Sequence, residues 1–590
     1  MGKIKETSTA VTSRKRDVRF DNIVQLIAGL IIIVLLNVIG SYLFTRFDLT
    51  SEKRYTLSNS TRQLLRETDD IFYFRVYLEG DFPSGFKRLS QSTREMLDEF
   101  RAYSDNIQYE FINPSASEDA KVRNEVYKRL VEQGLEPTDL AVRTKEGQKQ
   151  QSVFPGALVS YKGRTVPISL LANKLGAPPE AIINNSVQAL EYNLVNAIRK
   201  LSVTDKPKVA FIQGHSELTK LETADIAIAL SDYYQVEYVD IKGRINSLTE
   251  RTATEGGKYN MANKYKTIII AKPDSVFSEK DKFIIDQFVM QGGKVLWLID
   301  PVFATMDSLQ KTNRTIGITQ DINLNDQLFK YGVRLNSNLL MDLSALPIPM
   351  VTGYMGNQPQ FTFFPWPYFP VLTATSSNPI VKNINAVRTE FISSIDTVGD
   401  PSIRKTVLLT TSKYTRIAQT PVMISLEILG RDPDTKDYTD PPQAVAVLLE
   451  GKFNSVFTNR IPKEISTAPE IGFTPASPEN RMIVISDGDV IKNQVQFANG
   501  NYTPLPLGYD RHTGQTFGNK ELILNAVNYL SDDAGLLAIR SRELKLRALD
   551  VNRARENLLG WQLINILVPV ILIIIFGIIQ FTIRKRRYSK

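Results

Sequence analysis

The apolar positions of this chain fall into two long uninterrupted runs and, between them, a succession of short periodic ones. Residues 22–45 read NIVQLIAGLIIIVLLNVIGSYLFT, with no charge between Asp21 and Arg46. Residues 560–583 read GWQLINILVPVILIIIFGIIQFTI. A helix needs ~20 apolar residues, rising ~1.5 Å each, to cross the ~30 Å hydrocarbon layer. Both runs are therefore expected to be transmembrane helices. The first has a longer apolar run than a cleavable signal and lacks an A-x-A-like site, which favours an uncleaved anchor.

The residues between the runs alternate strand-like and helix-like patterns. Strands are predicted at 71–78, 107–111, 140–143, 153–161 and 165–168, by β-branched and aromatic content. Helices are predicted at 61–67, 87–103, 118–133 and 179–200, by apolar spacing of three and four. This β-α-β-α-β-β-α order predicts a first α/β domain within residues 46–202, of thioredoxin-like type. A second α/β domain is expected at 203–535. Its fully apolar strand Thr267–Ala271, followed by a helix and the next strand, Lys294–Ile299, suits a doubly wound, largely parallel sheet buried on both faces. Residues 209–212 and 236–239 are further strands, 218–231 and 279–290 helices. The pattern dissolves from Leu346 to Pro370 and short strands return at 390–395, 406–411 and 444–450, so a long insertion at about 340–480 is expected before the final strand–helix pair, 481–486 and 519–530. Residues 536–559 form a charged, helix-permissive juxtamembrane segment.

Charge adds topology. The net charge of +8 is carried by the ends: residues 1–20 hold +4 and residues 584–590 hold +5, leaving the remainder at −1. Lys and Arg flanking membrane spans favour the cytoplasmic side. The tails 1–21 and 584–590 are thus expected in the cytoplasm, next to membrane lipid, and the large central part outside. A nucleic-acid-binding face loses its support, because the basic excess is in the tails.

Composition removes several chemistries. There is no Cys, which excludes disulfides, thiolate metal sites and a Cys nucleophile. His215 and His512 are the only histidines. No G-x-x-x-x-G-K-[ST] occurs, so the chain is not itself a P-loop ATPase, and Gly292-Gly293 lacks a dinucleotide fingerprint. No cofactor or metal is expected.

Ligands of open parallel sheets bind at the carboxyl ends of strands. Three polar clusters fall there: Gly214-His215-Ser216-Glu217, Asp300, and Asp487-Gly488-Asp489. A hydrolase would use His215 as base, Glu217 as orienter and Ser216 as nucleophile. A hard cation would take Asp487, Asp489, Glu217 and Asp300. Against both, Asp and Gly are ordinary turn formers, and triad residues normally converge from separate segments. No catalytic residue is assigned. His215, Glu217, Asp300, Asp487 and Asp489 are carried forward as candidate ligand-binding residues. The stretch FTFFPWPYFP ends the irregular region. It reads either as a loop packed on the sheet or as a partner contact through Phe364, Trp366, Tyr368 and Phe369, since aromatic residues concentrate binding energy.

Several segments together resemble the GldG-type auxiliary, substrate-binding-like component of gliding-motility-associated ABC transporters. They are RFDLTSEKRYTLS (46–58), VAFIQGHSEL (209–218), IDQFVMQGGKVLWLIDP (285–301), RMIVISDGDVIKNQ (481–494), GNKELILNAVNYLSDD (518–533) and LLAIRSRELKLRALD (536–550). The resemblance implies a bacterial inner-membrane protein with a large periplasmic part. It also implies work beside a multispanning permease and a cytoplasmic P-loop ATPase, in gliding and the associated protein secretion. No catalytic residue comes with it. The resulting expectation is a non-enzymatic auxiliary subunit whose periplasmic part binds a ligand or an envelope protein. A membrane-anchored envelope hydrolase and a structural envelope protein are the alternatives.

Overall fold

The computed structural model describes residues 14–42, 557–588 and 56–532, the last apart from 145–146, 173–177, 204, 255–257, 375, 431–432 and 499. It divides into two units, Met1–Thr56 and Leu57–Lys590. The first holds helix α1 (Arg14–Tyr42), whose apolar stretch runs from Ile23 to Val38. Among the described residues that stretch is shorter than a bilayer crossing requires, and residues 43–45 of the expected run lie outside them. Most of the polar segment 46–58 and of the juxtamembrane segment 536–559 lies outside the described residues.

In the second unit, helix α2 (Asn59–Arg66) begins at Ser58, whose Oγ accepts from Thr61 N–H at 3.0 Å. Such a cap satisfies one of the free donors of the first turn. A four-stranded sheet follows, built from β1 (Phe72–Val76), β2 (Ile107–Phe111), β5 (Gly156–Tyr161) and β6 (Arg164–Ser169). Its order is β2-β1-β5-β6, with β1 parallel to β2 and antiparallel to β5. The hairpin β3 (Thr138–Thr144) and β4 (Gly147–Val153) pairs only with itself. Phe72, Phe74 and Val76, two residues apart, face one side, as strand alternation demands. There they meet Leu89, Leu97 and Phe100 of α3 (Ser84–Arg101) and Leu190, Leu194 and Ile198 of α5 (Pro179–Ser202). The opposite face packs on α4 (Ala120–Glu132) through Leu130, Phe154 and Leu158.

The larger sheet has ten strands. Five are parallel neighbours: β8 (Gln235–Asp240), β7 (Lys208–Gln213), β9 (Thr267–Ala271), β10 (Lys294–Leu298) and, further along the chain, β15 (Ala476–Ile485). Beyond β15 the sheet continues antiparallel through β14 (Ala444–Asn454), β13 (Arg404–Thr410), β12 (Gln358–Ala374) and β11 (Ala345–Met355). The two-residue strand Val387–Arg388 pairs beside β12. Every residue of β9 is buried, because both faces of the parallel part are covered. One face meets Ile226 and Leu230 of α6 (Ala224–Ser231) and Leu522, Ile523 and Val527 of the late helix α9 (Asn519–Ser531). The other meets Ile285, Phe288 and Val289 of α7 (Glu279–Met290) and Leu328 and Tyr331 of α8 (Asn325–Tyr331).

Two expectations change here. Residues 340–480 contribute β11 to β14 to the same sheet. The proline-rich stretch 346–370, read as irregular, is a long hairpin of β11 and β12. Proline is tolerated there because β11 is the sheet edge and β12 meets β13 only at Thr373 and Ala374, so each strand has a side without a ladder along the proline-bearing stretch. Helix α10 (Leu558–Tyr588) contains Pro569 and is long and apolar enough to cross a membrane.

Candidate functional site

The carboxyl ends of β7, β9, β10 and β15 lie side by side, and the five candidate ligand residues sort into two clusters there. His215 follows β7. Its ring stacks on Phe277 at 3.7 Å between centroids. Nδ1 lies 3.3 Å from Glu217 Oε1, and Nε2 lies 3.2 Å from Asp281 Oδ2. Asp281 also accepts from Gly243 N–H at 2.6 Å and Ser278 O–H at 2.7 Å. Burial opposes a charge on His215, but the two carboxylates outweigh it and raise its pKa. Burial would push Asp281 up, yet its hydrogen bonds to Gly243, Ser278 and His215 hold it below the usual carboxylate range. The result is an imidazole ring clasped between two acids, tying the β7 loop to the first turn of α7.

Ser216 is not part of this clasp. Its Oγ lies 3.0 Å from Ser275 Oγ, while both His215 nitrogens are engaged by carboxylates. The nucleophile–base contact that a hydrolase needs at this loop is replaced by a structural one.

Asp300, Asp487 and Asp489 form the second cluster, around Lys272 at the end of β9. Lys272 Nζ lies 2.9 Å from Asp300 Oδ2 and also pairs with Asp489. Asp300 accepts in addition from Gly488 N–H. Asp487 is fully buried and accepts from the backbone N–H of Asp489 at 2.7 Å and of Glu390 at 3.0 Å. Glu390 in turn pairs with Arg388. Burial would depress the Lys272 ammonium, but Asp300 and Asp489 together hold it well above the ordinary lysine range. Burial raises Asp300 despite Lys272, and raises Asp487 further, with repulsion from Asp489 and Asp300 adding to it. The cation reading of Asp487, Asp489, Glu217 and Asp300 is not assembled: Glu217 belongs to the other cluster, and the Lys272 ammonium lies between Asp300 and Asp489. Among the described residues no group of His, Asp and Glu is arranged to hold a metal ion.

Sequence reasoning missed Lys272, Asp281, Arg388 and Glu390. Lys272 had a visible signal, a single cation directly after a fully apolar strand. Asp281 stood three residues after the cap Ser278. Arg388 lay outside any predicted element, and Glu390 stood at the start of the predicted strand 390–395 rather than at a strand end.

The proposed aromatic contact is corrected. Trp366, Tyr368 and Phe369 are buried at 0%, 4% and 5% exposure, and Phe364 is half-buried. Trp366, Tyr368 and Phe369 pack in a core with Leu346, Ile348, Leu339 and Phe391.

A separate cleft of about 1040 Å³ opens between the two sheets' elements. β6 and α5 form one wall, and residues 383–385 and 514–517 the other. Side-chain amides brace it: Asn193 Nδ2 donates to Ser169 O at 3.3 Å and Asn385 Nδ2 to Thr516 O at 3.0 Å.

Residues 206–526 match the family described as an ABC-type uncharacterized transport system. The chain belongs to that family. It is an auxiliary component of an ABC-type transport system, and α10 supports anchorage of that component in a membrane. Residues 51–160 match a domain of unknown function. An uncharacterized protein of Borreliella burgdorferi is 20% identical over 574 residues, covering 96% of this chain and 99% of the relative. Among solved structures, the mmIFT52 N-terminal domain aligns at 12% identity over 55% of this chain and 98% of that one, with a TM-score of 0.29.

Proposed function

We propose that this chain is a non-enzymatic auxiliary subunit of the GldG type, linked to gliding motility and its associated secretion. The mutual pairing of the polar residues at the strand ends carries this reading. His215 is spent on Glu217 and Asp281, and Lys272 on Asp300 and Asp489, so these groups fix loops in place. A ligand reaching His215, Glu217, Asp300, Asp487 or Asp489 would have to break an internal pair. The amide-lined cleft offers volume without that cost, and it is the place where a ligand or a segment of an envelope protein is received. Clefts between packed elements are the usual setting for such sites.

In this reading, residues 46–202 are a thioredoxin-like domain in a binding role and 203–535 a doubly wound domain. Both runs, 22–45 and 560–583, cross the bacterial inner membrane, with both tails cytoplasmic and the rest periplasmic. ATP binding on a separate P-loop ATPase reaches the periplasmic part through a multispanning permease, by biasing a shared conformational equilibrium.

Purification of the full-length protein from native membranes, followed by mass spectrometry, tests the proposal. A permease and a P-loop ATPase in stoichiometric amounts are expected. Recovery with envelope enzymes alone would overturn it. For topology, Glu250→Cys should react with a membrane-impermeant thiol reagent from the periplasmic side; reaction only from the cytoplasm would reverse the orientation.

A further inference from the structure

The β11–β12 hairpin carries a surface that neither the family nor the polar clusters account for. Its register pairs Pro347 with Pro365, Pro349 with Phe363 and Val351 with Phe361. Cross-strand partners share a face, and this face points outward: Val351, Phe361 and Phe363 are 47%, 57% and 47% exposed. The intervening positions Leu346, Ile348 and Trp366 point inward to the core. At the tip, Tyr354 and Met355 are more than two-thirds exposed. Only Thr373 and Ala374 of β12 pair with β13, so the tip end of the hairpin projects past its sheet neighbour. From Leu343 to Val381 the sequence contains no Asp, Glu, Lys, Arg or His.

Single exposed apolar residues are ordinary, but a contiguous apolar face without any charge is a docking surface. We infer that the outer face and tip of this hairpin dock on the lipid surface of the membrane that anchors the chain. Two observations select lipid. Exposed Val351, Tyr354, Met355, Phe361 and Phe363, set among uncharged Thr, Asn and Gln, suit the headgroup boundary, where aromatic rings collect. The chain also keeps the hairpin near a bilayer. Only residues 532–557 separate α9 from the membrane-spanning α10, a reach of at most ~95 Å when fully extended. The free edge of β11 still needs water for its backbone groups, so the hairpin lies ~5–10 Å deep in the boundary layer and does not cross it.

The inference rests on anchorage by α10, and the test separates the two. The chain has no Cys, so one introduced Cys is its sole thiol. Full-length Met355→Cys and Phe361→Cys proteins would be labelled with a polarity-sensitive fluorophore and reconstituted into uncharged phosphatidylcholine liposomes. Quenching would be read from lipids spin-labelled near the headgroup or deep in the chain. Ile573→Cys reports α10 itself, and Glu279→Cys reports the exposed start of α7. Blue-shifted emission at 355 and 361, quenched by the shallow label and unchanged in high salt, is expected, with water-like emission at 279. Water-like emission at 355 and 361 while 573 is quenched would overturn the docking and leave the anchor intact. A blue shift without lipid quenching would also overturn it, and would make the face a protein contact. An unquenched label at 573 would remove the anchor and the inference together.

Discussion

A Cβ placed on Gly488 would lie 2.4 Å from Cβ of Lys272 and 2.9 Å from its Cα. Glycine at 488 therefore lets the β15 loop close over the end of β9, where Gly488 N–H reaches Asp300 and Lys272 reaches Asp489. Neither backbone can yield without disturbing the buried ion pairs. Gly488→Ala is expected to lose about 1–3 kcal/mol, as overpacking of a closed site does. Gly430, with nothing within 4 Å of its Cβ position, provides the control. Denaturant titration of the two alanine variants checks this, and equal stabilities would refute the close approach.

Removal of Lys272 leaves buried acids facing one another. Lys272→Met is expected to cost ~3–5 kcal/mol at neutral pH, the range for breaking a buried pair on one side. The deficit carries a sign in pH. Asp300 is already raised by burial, and loss of Lys272 takes away its main lowering influence. A carboxyl whose folded pKa exceeds its unfolded value, ~3.9, binds more protons when folded. Stability of the variant should then fall, relative to the parent, as pH rises above about 4. A deficit that is constant between acid and neutral pH would contradict this account.

The sheets were legible in the sequence where burial imposes a simple pattern. Thr267–Ala271 and the strand around Val295 are apolar throughout, and both occupy the middle of the parallel sheet. The hairpin 345–374 was not legible, because six prolines hide a strand pattern whose hydrogen bonds lie at an edge. Polar residues buried in α7 were equally hidden. Lys282, 1% exposed, finds Asp326 at 2.7 Å, and Asp286 accepts from Ser455 O–H at 2.6 Å and Tyr331 O–H at 2.8 Å. Each partner is distant in sequence, so local periodicity carries no trace of it. The candidate site divides the same way: His215 and Asp487 stood at strand ends where loops meet, whereas Arg388 lay outside any predicted element and Glu390 stood at the start of a predicted strand.

The His215 clasp predicts a second pH dependence, in a different window. Facing the ring are Glu217 and Asp281, with Phe277 stacked on it. Its folded pKa lies above the unfolded value, ~6.5. The clasp therefore contributes fully below about pH 6.5 and is lost as pH rises through the folded pKa. Denaturant titrations at pH 6 and at pH 9 should show the parent losing stability with pH and His215→Gln losing less. Parallel profiles would remove the charge from His215. His215→Ala should be severely destabilised, because it strands two buried carboxylates. Loss of transport in that variant would thus report on folding unless protein levels are matched.

Along one hairpin strand an exposed tip half, 358–363, gives way to a buried inner half, 366–370, and the energetic consequences should divide in the same way. Trp366 is fully buried and touches Tyr368 at 5.2 Å between ring centroids. Trp366→Ala opens a cavity that the flanking strands cannot fill, and ~3–5 kcal/mol is expected. Phe361 and Phe363 lie on the opposite, outward face, so alanine there removes little packing in the isolated fold. Each should change stability by no more than about 0.5 kcal/mol. Thermal or denaturant unfolding of the three variants in detergent measures the contrast. A large loss at 361 or 363 would mean that the outer face is covered by the protein itself, and a small loss at 366 would dissolve the core beneath it.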